Sequence, residues 1–330
     1  MLGVAISLHQ DSSIWQEYFS GSFHKYNRNG SLPAFNYQNT FIYRVEFYDI
    51  TENTPVYYST TESYNLLISN VKFYNCDSST TEAGTLYFNT YGSCVQRQIC
   101  SMYCTCNNLT YGAQTQFVTV TGSNLNYIES CTFIGNHGSG EASSTLRAAS
   151  GSIILHASNF SQNNCLQQVC YVLKQASNNV PITYNTFDSN TGYNLRQLVH
   201  ASINANMNLC SVTNNSLEGT YDSLFIAQGT SEIQVFKTVF KNNSPYYTFM
   251  TMENGWIYIH DISIDNSGST ILFNGSGGGI YTSSSGTISF SMYVAIEPVC
   301  IKIIPEERIT CPIRRFDIRA MVLTTISFKM

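Results

Sequence analysis

Charge is what this chain has least of. Asp, Glu, Lys and Arg make up 11% of its 330 residues, against about 25% in an average globular protein. Sixteen Lys and Arg and a net charge of −5 do not favour nucleic acid or an anionic membrane as the main partner, because phosphate contacts need basic side chains. Aspartate is scarcer still, with eight in the whole chain, which leaves few carboxylates for acid–base pairs or calcium loops. No run of about 18 apolar residues is present, so no transmembrane helix is expected. Nor does any apolar stripe persist at helical spacing over ten or more residues, which argues against a helical repeat. The start, MLGVAISLHQDSSIWQEY, departs from a secretory leader: its apolar stretch is short, no basic segment precedes it, and Asp11 and Glu17 follow.

What replaces charge is Asn, Ser, Thr and Tyr around a 43% hydrophobic content, enough for a sizeable core. Eleven cysteines, an odd number, leave at least one thiol unpaired within a monomer. Buried free thiols are the main expectation. Cys165 with Cys170, and the group Cys94, Cys100, Cys104 and Cys106, are the best disulfide candidates. The spacing in that group does not match a zinc ribbon.

Short phrases recur about every 27 residues: CTFIGN at Cys131–Asn136, SNFSQN at Ser158–Asn163, NTFDSN at Asn185–Asn190 and TVFKNN at Thr238–Asn243. A period of this length marks a solenoid. Setting the Phe as position zero, the column reads Phe47, Phe73, Cys104, Phe133, Phe160, Phe187, Asn214, Phe240 and Ile264. Position minus five is aliphatic (Ile42, Ile68, Ile99, Ile128, Leu155, Ile182, Leu209, Val235, Ile259), and position plus three is often Asn (107, 136, 163, 190, 243). Positions minus seven and minus five share parity and line one face of a short strand. Position zero has the opposite parity, so a turn intervenes and zero belongs to a second strand. A third apolar patch follows in each unit, as at Leu86–Phe88, Leu224–Ile226 and Ile271–Phe273. Ile288 and Phe290 read as the opening pair of a tenth unit. These features predict an all-β, single-stranded parallel β-helix of about nine to ten coils, three short strands each, over 41–295. Residues 1–40, with Ile14, Trp15, Tyr18, Phe19 and Phe23, read as an N-terminal cap. Residues 296–330 read as a C-terminal cap or irregular tail, rich in proline and basic residues.

With its L-x-I-x4-F-x-x-N pattern, seen in ILHASNFSQN (154–163), VPITYNTFDSN (180–190) and IQVFKTVFKNN (233–243), the chain resembles the right-handed parallel β-helix, pectin-lyase-like superfamily. It is closest in look to the adhesin-like and polymorphic-outer-membrane-like members, on FYNC at 73–76 and FKNN at 240–243. Their GGAI phrase is absent; GGGI at 277–280 is nearest. The resemblance implies a left-handed conformation for the turn Asn column, which Asn tolerates well. It also implies either surface adhesion or polysaccharide cleavage on the outer face of the first sheet.

On that face the outward positions minus four and minus six carry the candidates. Glu129 and His156 are the titratable neighbours, a coil apart, and a Glu–His pair can serve acid–base chemistry. Tyr43, Tyr127, Phe236 and Tyr258 are the aromatic positions, suited to binding carbohydrate or protein. The lyase and hydrolase motifs of the superfamily, paired Asp, R-I-K and G-H-G, are missing. The expectation is a non-catalytic adhesion or recognition protein at a cell surface or outside the cell, without cofactor or metal, with glycans or host or cell-surface proteins as partners. The alternatives are a polysaccharide lyase or glycoside hydrolase, and a truncated or degenerate member without activity. Six sequons, at Asn29, Asn108, Asn159, Asn214, Asn242 and Asn274, suit export but also arise by chance in so Asn-rich a chain.

Overall fold

The computed structural model describes residues 13–27, 37–79, 81–107, 113–137, 144–166, 168–193, 196–218, 222–265, 270–273, 277–283 and 300. They form a parallel β-solenoid. The third face stacks nine strands, from Val56–Ser59 to Thr270–Phe273. Nine stacked strands enclose about eight turns of chain, fewer than the nine to ten expected. Leu125–Glu129, Thr132–Ile134 and Ser144–Ala149 are one rung: face one, face two and face three in turn. Several rungs add a fourth short strand at the corner between faces two and three, such as Thr191–Tyr193. The tenth unit begins earlier than Ile288: Gly279–Ser283 pairs with Trp256–His260. Ile288 and Phe290 lie outside the described residues, as does the 296–330 segment apart from Cys300.

The inward columns fill the bore. Phe47 stacks on Phe73 with centroids 5.0 Å apart, and Phe133, Phe160 and Phe187 stack at 4.7 and 5.2 Å. Two positions in the expected Phe column are corrected. Ser101, not Cys104, pairs with Phe73 and Phe133, and Val212, not Asn214, pairs with Phe187 and Phe240. Gln96 and Met207 accordingly replace Ile99 and Leu209 in the aliphatic column. The rungs differ in length, and the differences are absorbed at the corners.

The Asn column does something other than expected. Asn136, Asn163, Asn190, Asn215 and Asn243 are buried and lack positive φ. Each of the first four donates its Nδ2 to Oδ1 of the next, at 2.8–3.0 Å. The same Oδ1 accepts the preceding Asn's backbone N–H, and Nδ2 also reaches a carbonyl such as Phe160 O at 2.9 Å. The left-handed residues stand one position earlier: Asp49, Asn75, Tyr103, Gly135, Gln162, Ser189, Asn214 and Asn242, with φ of 50–62°. A second such column runs between faces one and two through Arg44, Asn70, Gln98, Ser130, Ala157 and Tyr184. These residues keep their N–H in the ladder, as Ser130 N does to His156 O at 2.9 Å. That bond offsets the steric penalty that left-handed φ imposes on a residue with a Cβ. Asn107 lies outside the column and binds Asp77 instead.

Eight of the described cysteines are buried and outside any disulfide, among them both Cys165 and Cys170. In the 94–106 group only Cys100 is bonded, to Cys300.

Candidate binding face

The N-terminal segment is more than an end cap. His24–Tyr26 pairs in parallel with Asn39–Tyr43 and covers the first strand edge. Residues before it fold back along the outer side of face one. Trp15, fully buried, packs with Phe41, Tyr43, Leu67 and Val95, and Ile14, Tyr18, Phe19 and Phe23 complete this apolar layer.

This strap reaches the Glu129 region. Glu129 and His156 are register neighbours, as expected, but each has another partner. Tyr18 Oη donates to Glu129 Oε2 at 2.6 Å, and His156 Nδ1 lies 2.7 Å from Thr183 Oγ1. Burial, then the hydrogen bond to Glu129, hold the Tyr18 hydroxyl well above the usual tyrosine range. Arg97, not Cys100, is the third member of this outward column, next to Glu129. Its guanidinium bonds Glu17 of the strap at 2.6 Å.

The four aromatic candidates divide into two groups. Tyr43 is buried under the strap, with Lys25 and Arg44 over its ring at 5.1 and 4.9 Å. Tyr127 is half-buried and meets Tyr18 edge-on at 6.4 Å. Phe236 and Tyr258 sit at the other end of face one, on adjacent strands. There they join residues outside the candidate set. Phe236 stacks on His260 (4.8 Å, 13° between planes), and Tyr281 stacks on both Trp256 (5.5 Å, 11°) and Tyr258 (5.4 Å, 12°). Tyr281 is 53% exposed and the others are half-buried. The signal for these additions is the alternation W-I-Y-I-H at 256–260, aromatic outward and Ile inward, continued by G-I-Y at 279–281. Tyr281 was missed because the next unit was sought at 288.

The strands hold these rings parallel at the rung spacing, so that each pair stacks face on face between neighbouring strands, with the Tyr281 ring the most exposed of them. The register neighbours of this row are Gln234 and Asn208, with Asn206 beyond Gln234, amide groups able both to donate and to accept, and one exposed carboxylate, Glu232, beside Trp256. Burial first, and the charge of Glu232 second, raise the Tyr258 hydroxyl from its ordinary value. Among the described residues no three His, Cys, Asp or Glu side chains converge into a metal site, and no helix is long and apolar enough to cross a membrane. Of the sequons, Asn214 and Asn242 stand exposed at neighbouring left-handed corners and Asn159 is half-buried; Asn29, Asn108 and Asn274 lie outside the described residues.

These features define a parallel β-solenoid with an aromatic face at one end. Searches of protein-family models, of curated proteins and of solved structures find no match to the chain.

Proposed function

We propose that this chain is a non-catalytic, adhesin-like recognition protein of the cell surface or extracellular space, related to the pectin-lyase-like β-helices. It holds glycan on the row formed by Phe236, Trp256, Tyr258, His260 and Tyr281. The observation that carries this reading is the parallel stacking of Trp256 and Tyr258 with the exposed Tyr281 ring on an outward face. Flat aromatic rings pack against the apolar faces of sugar rings, while flanking amides bind hydroxyls. The ligand is an uncharged glycan, because the row offers no register-paired Lys or Arg for a sugar carboxylate and Glu232 repels one.

A glycan array probed with the whole chain tests this. Retention of neutral glycans is expected, with Trp256→Ala/Tyr281→Ala weakening affinity about tenfold or more, on the order of 1.4 kcal/mol. Loss of the rings without loss of binding would reject the site. A polysaccharide-degradation screen runs beside it. Turnover of an acidic polysaccharide that disappears in Glu129→Ala would replace recognition with the lyase or hydrolase reading.

A further inference from the structure

The third rung, residues 93–119, carries polar side chains at three inward positions where both neighbouring rungs are apolar. On face one the inward pair Leu66 and Ile68 is followed by Cys94 and Gln96, then by Asn126 and Ile128. On face two Ser101 stands between Phe73 and Phe133. On face three Gln116 stands between Leu86 and Leu146. Ser101 thereby breaks the phenylalanine stack into its two parts. It also withdraws a ring's volume from the bore at the level where two carboxamides enter.

Gln96, Ser101 and Gln116 are completely buried. Nε2 and Oε1 of both glutamines, Ser101 Oγ and Asn126 Oδ1 have no hydrogen-bond partner among the described residues. Buried polar atoms in native proteins are almost always satisfied, and those that find no protein partner meet ordered water. Leaving this many unsatisfied would consume much of a domain's stability. The chemistry selects the guest. The inward positions of this rung bring donors and acceptors but no carboxylate and no ammonium, so a bound ion would sit uncompensated. A small neutral molecule that donates and accepts fits.

We propose that the third rung encloses a water-binding site, with water bridging Gln96 on face one and Gln116 on face three, and Ser101 as its third partner. Ile68, Phe73 and Leu86 on one side and Ile128, Phe133 and Leu146 on the other close the site along the axis. The solenoid core is thus two dry stacks joined through one hydrated layer.

A crystal structure of the full chain tests this. Expected are solvent peaks within about 3.2 Å of at least two of the three side chains. In the double variant Gln96→Met/Gln116→Met these peaks disappear. Each single variant lowers Tm, because it strands the opposite glutamine, and the double variant recovers part of that loss. Direct pairing of the two carboxamides, or no solvent peak between them, overturns the proposal, and so do Tm losses that simply add. The wild-type density decides the matter even where a variant fails to fold.

Discussion

His200 faces inward on the third face between Tyr171 and Phe225, whose rings lie 5.4 and 4.5 Å from its own. Its Nδ1 lies 3.0 Å from Ile226 O, a group that only accepts, so Nδ1 carries the proton. Nε2 then accepts from Tyr171 Oη at 2.8 Å. The imidazole is held neutral, and burial lowers its pKa from 6.5 to about 4. Between these values the unfolded chain binds a proton that the folded chain refuses. The contribution of this site is therefore complete above pH 6.5 and falls away as pH drops toward 4. At about 1.4 kcal/mol per unit, acidification through the window removes about 3 kcal/mol. Urea unfolding at pH 7 and at pH 4.5 measures the slope. The variant Tyr171→Phe/His200→Leu, which removes both polar partners together, is expected to lack this part of it.

At the scale of the element, the asparagine ladder ties rung to rung where the strands themselves are only three residues long. Replacing Asn190 with Ala leaves Asn163 N without its acceptor, Asn163 Nδ2 with Phe133 O alone, and Phe160 O without its Nδ2 donor. At about 1–3 kcal/mol for each group stranded in the core, the variant loses about 3 kcal/mol or more of stability, to be read from chemical denaturation. An exposed asparagine one step away, Asn214 at its left-handed corner, gives a smaller effect on replacement by Gly. The same ladder explains what the sequence disclosed. Strand parity, the Phe column and the third apolar patch were legible because core filling repeats the same residue types. The slip at Val212 arose because a fixed 27-residue step was carried past a short rung: Asn190 and Asn215 are 25 apart, and Asn215 and Asn243 are 28 apart. At Ser101 the core itself departs from the pattern, so an apolar search moved on to Cys104. The role of the Asn column was not legible, since a buried amide and a left-handed turn residue use the same letter. Likewise, the outward columns placed Phe236 and Tyr258 correctly, but nothing in a periodic pattern says that residues 13–23 will lie across Tyr43.

At the scale of the molecule, a solenoid is a one-dimensional stack in which each rung leans on its neighbours, so the ends decide how it frays. At the N-terminal end one segment does two things. His24–Tyr26 satisfies the open strand edge, and Trp15 anchors the chain across the outer side of the first rungs. Trp15 lies 4.6 Å from Phe19, 4.9 Å from Phe23 and 6.5 Å from Phe41, so its removal opens the centre of the layer. In Trp15→Ala the loss of a buried aromatic, about 3–5 kcal/mol where the site cannot collapse, falls on strap docking rather than on the whole rod. Hydrogen exchange separates the two. Amides of residues 13–26 and of Asn39–Tyr43 are expected to exchange faster, with protection in Asn179–Thr183 and Glu232–Phe236 unchanged. A uniform loss along the chain would mean that the rod unfolds as one cooperative body and that the strap is part of its core. Local loss would leave the aromatic face at Trp256–Tyr281 intact, so glycan retention by this variant should equal that of the wild type. Strap and binding face would then stand as separable parts of one scaffold.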